Sequence, residues 1–119
     1  MPGRPAKLME GAMPKYMIEA SYSVQGTQGL LKEGGSGRKA ALEQALQSVG
    51  GKLESFYFAF GDTDVFLIAD VPDSASAISA SLTAHAAGGV SHVKTTPLIT
   101  VEEMDAAAKK SPAYRAPGA

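Results

Sequence analysis

Across residues 15–24 apolar and polar side chains alternate, with Tyr16, Ile18, Ala20, Tyr22 and Val24 on one side and Lys15, Met17, Glu19, Ser21 and Ser23 on the other. A period of two is that of a strand with one face against a core. The alternation breaks at Gly26, Gly29 and Gly34-Gly35-Ser36-Gly37, which predicts a loop with at most one helical turn, over residues 30–33. Leu42, Ala45, Leu46 and Val49 then recur at i, i+3, i+4 and i+7, predicting a helix capped by Ser36 and stopped at Gly50-Gly51. Two aromatic and β-branched runs hinged on Gly61-Asp62-Thr63-Asp64 predict a β-hairpin. Asp73 is placed to cap a second helix ending at Gly88-Gly89, with Ala77, Ile78, Ser81, Leu82 and His85 as its inward face. A last strand is predicted over residues 90–96, closed by Pro97, with residues 98–100 extending it as an edge after the break. Thr100-Val101-Glu102-Glu103 is a capping-box arrangement that opens a short helix to about residue 110, before a Pro-rich tail.

The order β-α-β-β-α-β plus a C-terminal helix is that of an α+β, ferredoxin-like fold: a four-stranded antiparallel sheet with both helices on one face. The other face should be polar in a monomer. It is not, because Phe56, Phe58 and Phe60 alternate with Leu53, Tyr57 and Ala59, and Val65, Leu67 and Val71 with Phe66 and Ile68. An apolar sheet face needs a cover, and the economical one is a second copy, face to face, giving a dimeric α/β barrel with a cavity between the sheets. The expected division is residues 1–12 as a disordered extension or expression remnant, 13–100 as the domain, and 101–119 as C-terminal helix and tail.

Composition narrows the function classes. The chain has 119 residues, 45% hydrophobic and 19% charged, with a formal net charge of -1. That fits one globular domain. No apolar run approaches the ~20 residues of a membrane-spanning helix. No basic cluster exceeds Arg38-Lys39 or Lys109-Lys110, so the phosphate-neutralising surface on which nucleic-acid binding depends is missing. The absence of cysteine removes disulfides, thiolate nucleophiles and most structural zinc sites, and fits a cytoplasmic location.

From residue 13 to 118 the chain resembles the bacterial GYD domain proteins. The resemblance rests on Thr27-Gln28-Gly29, Arg38, Gly50-Gly51-Lys52, Gly61-Asp62-Thr63-Asp64 and Pro72-Asp73, and near the end on Thr95-Thr96-Pro97-Leu98, Thr100, Glu102, Glu103, Tyr114-Arg115 and Pro117-Gly118. Thr63 stands where the name-giving Gly-x-Tyr-Asp signature has tyrosine, so a role needing a phenol at that turn does not carry over. The resemblance implies a ferredoxin-like fold and self-association, and no assigned activity.

Several residues could carry chemistry. Asp62 and Asp64, two apart in a turn, could share a metal or a proton, but no third ligand lies nearby and turn hydrogen bonding explains them better. No metal or other cofactor is expected. His85 and His92 straddle a Gly-Gly turn without a metal-binding spacing; His85 suits a helix C-terminus, and His92 could line a pocket. Glu19, mid-strand on a face roofed by a partner, must be paired or shift its pKa, with Lys15, Lys52 or Lys94 as possible counter-ions. Gly34-Gly35-Ser36-Gly37 with Arg38 and Lys39 invite an anion at a helix start, although loop flexibility is the simpler reason for the glycines. The aromatic group Phe56, Tyr57, Phe58, Phe60 and Phe66 reads as sheet core. Met17, Ser21 and Tyr57 are the candidate ligand contacts, and Glu19 and His92 the candidate general bases. The leading expectation is a self-associating, non-enzymatic domain that binds a small apolar molecule between its sheets. The alternatives are a cofactor-independent oxygenase or isomerase and a purely structural assembly unit.

Overall fold

The computed structural model describes residues 13–119; the expectation for residues 1–12 lies outside them. Four strands, β1 (Lys15–Tyr22), β2 (Lys52–Phe58), β3 (Val65–Asp70) and β4 (Val90–Leu98), form one antiparallel sheet in the order β2-β3-β1-β4. The helices are α1 (Val24–Ser48), α2 (Ser74–Ala86) and α3 (Val101–Ala108). The chain is therefore α+β, with the predicted element order.

One sheet face carries the core. Tyr16 lies opposite Ala69, Ile18 opposite Leu67 and Ala20 opposite Val65. These residues pack with Leu46 of α1, Ala77 of α2 and Val71. The hairpin expectation is corrected at one place: the register between β2 and β3 shifts between Leu53 and Ser55. That bulge moves Leu53 onto the core side with Phe56, where strict alternation would have separated them. The aromatic group divides too, since Phe60 and Tyr57 are exposed, and only Phe56 packs against the core.

The largest correction concerns residues 24–48. The first strand ends at Tyr22, and Ser23, not Ser36, is the N-cap, its side chain accepting from the Gly26 N–H at 3.0 Å. The stretch expected to be a loop is helix, interrupted only at Gly34 (φ 77°, ψ 173°), a conformation open essentially to glycine alone. Beyond the kink Leu46 is buried in the core and Leu42 packs against it. At the end of the helix Gly50 donates to Gln47 O (3.0 Å) and Gly51 to Leu46 O (2.8 Å), the two bonds of a Schellman cap.

α2 is capped by Asp73, which accepts from the Ser76 N–H at 2.8 Å. That backbone hydrogen bond holds the carboxyl below its usual range. The cap is therefore intact above the ordinary carboxylate pKa and lost only as pH falls through the lower folded value. The inward face of α2 also differs from the expectation: Ala77 is buried and Ala80, Ser81 and Ala84 are half-buried, whereas Ile78, Leu82 and His85 are exposed. Two bonds fix this rotation, Tyr16 Oη to Ser74 Oγ (3.3 Å) and Ser81 Oγ to Thr95 Oγ1 (2.9 Å).

β4 runs through Pro97 without a break, because it is an edge strand bonded only to β1 and has room for a residue that lacks an N–H. α3 opens with the predicted capping box, Thr100 Oγ1 accepting from Glu103 N–H (3.0 Å) and Glu103 Oε1 from Thr100 N–H (2.7 Å). Every residue from Ile99 to Ala119 is exposed.

Candidate functional site

Two surfaces of the sheet could hold a ligand. The first is the open face, made by the residues that alternate with the core set. On it Met17 lies opposite Ile68 and Thr96, Glu19 opposite Phe66 and Lys94, Ser21 opposite His92, and Tyr57 opposite Phe66. Residues read separately along the chain as candidate contacts or bases, Met17, Glu19, Ser21, Tyr57 and His92, thus share one face.

Their hydrogen bonding separates them. Ser21 donates its hydroxyl to Asp62 O at 2.8 Å, which ties β1 to the hairpin turn. Glu19 is half-buried and makes no ion pair within 4.0 Å among the described residues. Of its expected counter-ions, Lys15 is taken by Asp70 (2.8 Å) and Glu54 (2.5 Å), and those two bonds, Asp70's first, raise its pKa. His92 is exposed and has no hydrogen-bond partner among the described residues.

The hairpin carboxylates have distinct placements. Asp64 accepts from the Tyr22 N–H at 2.8 Å, while its own N–H donates to Ala20 O at 3.0 Å. It braces a neighbouring strand, where the sequence pattern pointed to bonds within its own turn. Among the described residues no group of three or more His, Asp or Glu could hold a metal ion. Asp64→Ala is expected to lower stability by about 1–2 kcal/mol through the orphaned Tyr22 N–H, and Asp64→Asn, which keeps an acceptor, by less than half as much. Thermal melting of the two variants side by side checks this.

The second surface is a cleft of about 370 Å³ between the two helices on the core side. Its floor is Ile18, Ala20, Val65 and Leu67 of the sheet, and Leu42 of α1 and Ala84 of α2 form opposite walls. The gap follows from the sequence of α2. Its inward residues are alanines and serines, while the larger Ile78 and Leu82 point outward at 57% and 64% exposure, so no large side chain fills the space.

Arg38 and Tyr22 also line the cleft. Burial pushes the Tyr22 phenol above its ordinary pKa, the Arg38 charge opposes that shift, and Glu33 and Asp64 add to it. Arg38 itself is held by Glu33 through one contact of 3.3 Å across the Gly34 kink. The glycine run read as a possible anion loop is thus the kink that sets Arg38 beside the cleft. Sequence reasoning missed the cleft altogether. The available signal was the run of Ala77, Ala80, Ser81 and Ala84 at helical spacing.

No curated relative matches the chain significantly. The family model described as "GYD domain" matches residues 16–108, which takes in the sheet from Tyr16 onward, both long helices and α3. The chain belongs to the GYD domain family.

Proposed function

We propose that this chain is a self-associating binding domain of the ferredoxin-like type, in which two copies bring their open sheet faces together as a dimeric α/β barrel and hold a small, largely apolar molecule between the sheets. The observation that carries this reading is the open face itself. Met17, Ile68, Phe66 and Tyr57 lie side by side across the strands there, and among the described residues the core contacts of α1 and α2 are on the opposite face. Met17, Phe66 and Ile68 are half-buried there and Tyr57 is exposed, and a contiguous apolar patch on a sheet face is the kind of surface that marks an interface or a ligand groove. The strand order β2-β3-β1-β4 supports the ferredoxin-like assignment. In the assembled barrel Met17, Ser21 and Tyr57 line the cavity, and Glu19 and His92 stand beside it as its ionisable groups.

Native mass spectrometry of protein purified without added ligand tests the reading, since it reports subunit number and retained mass together. The expected spectrum is that of a dimer or a multiple of it. A folded monomer would count against the proposal.

The exposed arm fits the same picture. Val101 and Met104 are 73% and 54% exposed on α3, and a helix of about ten residues is marginal alone in water. The arm is therefore proposed to lie on a neighbouring copy, with Tyr114 as an aromatic anchor. Deleting residues 111–119 is expected to lower the melting temperature or the order of the assembly and to leave the β-α-β-β-α-β core folded by circular dichroism. An unchanged melting temperature and mass would contradict this docking.

A further inference from the structure

We propose that the cleft between α1 and α2 is a second binding site, for a small amphipathic monocarboxylate whose apolar body lies on the sheet and whose carboxylate meets Arg38. It goes beyond the inter-sheet reading and uses the opposite face of the sheet.

Size is the first argument. A cavity of about 150 Å³ is known to take up benzene, so the 370 Å³ of this cleft suits a ligand of roughly ten to fifteen heavy atoms. The lining is the second. Ile18, Val65, Leu67 and Leu42 offer an apolar bed, and the rim residues Ala45, Ser48, Ser79 and Thr83 are exposed, which leaves an entrance between the helices.

Charge selects the head group. Among the described residues Arg38 is the cation lining this cleft, and its 3.3 Å contact with Glu33 engages one guanidinium nitrogen. The planar fork has five N–H donors and matches a carboxylate in bidentate fashion. Tyr22 adds a second donor, because its hydroxyl has no hydrogen-bond partner among the described residues. A neutral apolar molecule would use the bed and leave both donors idle. A carboxylate attached to an apolar body uses all of them.

Isothermal titration of the full chain with octanoate, and in parallel with 1-octanol, tests the proposal. The expected result is one octanoate per chain with a Kd of about 10⁻⁴ M, in the range for so small a ligand. Arg38→Gln, at a side chain 37% exposed and therefore tolerant of change, should weaken octanoate about tenfold or more and leave 1-octanol unaltered. Ala84→Trp, which fills the cleft, should abolish octanoate binding. Phe66→Glu, on the other face of the sheet, should leave the octanoate Kd unchanged even if it dissociates the dimer, so the two sites fail separately. Absence of saturable octanoate binding below about 5 mM, equal loss of acid and alcohol in Arg38→Gln, or octanoate binding that survives Ala84→Trp or disappears in Phe66→Glu would overturn the assignment.

Discussion

Gly26→Ala is expected to be among the most damaging single-methyl changes in this chain, lowering the melting temperature by roughly 10 °C, or about 3 kcal/mol. The reason lies at the crossing of α1 with the turn after α2. A Cβ at position 26 would sit 1.8 Å from the Gly89 carbonyl oxygen and 2.7 Å from its carbon, and backbone atoms cannot move aside as a flexible side chain would. Two bonds hold the segments at that distance, Ser23 N–H to Gly89 O (3.1 Å) and Ser23 Oγ to Gly88 O (2.6 Å). Separating the segments to admit a methyl group breaks both and loosens the N-cap of α1. Gly29→Ala is the internal control. Position 29 lies in the same helical segment with nothing within 4 Å of an added Cβ, so alanine there should stabilise by about 0.5–1 kcal/mol through helix propensity. Thermal melts of the two variants should move in opposite directions. A Gly26→Ala protein as stable as wild type would mean that the two glycines do not meet.

Phe66→Glu is expected to abolish self-association. Phe66 points away from the core, between Glu19 and Tyr57 on the open face, whereas its neighbour Leu67 is 4% exposed against the helices. A carboxylate at 66 is solvated in a free subunit but buried in the proposed dimer. An unpaired charge in such a place costs several kcal/mol, enough to reverse a micromolar association. Leu67→Glu is the contrasting change, because it puts the charge inside the subunit's own core and should unfold the chain itself. Size-exclusion chromatography with circular dichroism separates the outcomes: loss of mass with strand signal retained for Phe66→Glu, loss of both for Leu67→Glu. An unshifted elution volume for Phe66→Glu would place the subunit contact elsewhere.

The strands were legible because their alternation is strong, and the helix starts at Asp73 and Thr100 because a cap is a local arrangement readable within four residues. Helix α1 was not legible, since five glycines between positions 26 and 37 erase the apolar period and each locally disfavours helix. What overrides propensity there is tertiary: Gly26 is small to admit Gly89, sixty-odd positions away, and Gly34 is the kink. The face of α2 was misread for a related reason. Ile78 and Leu82 look like core residues by hydropathy, but Ser74 and Ser81 bond to Tyr16 and Thr95 and turn the alanines inward. The bulge after Leu53 has no proline or glycine to mark it, and the cleft depends on how far apart two helices stand, a quantity no single stretch of sequence carries. Met17, Glu19 and Ser21 share a face because they alternate along one strand, whereas His92 and Tyr57 join them only through the register of neighbouring strands, which the sequence does not carry.

Sedimentation equilibrium of the wild-type chain at micromolar concentration tests the central claim most directly. A dimer of about twice the 12.2 kDa chain mass, or a multiple of that dimer, is the expected result, and it should collapse to single chains in Phe66→Glu. A wild-type chain that sediments as a folded 12.2 kDa monomer would contradict the account.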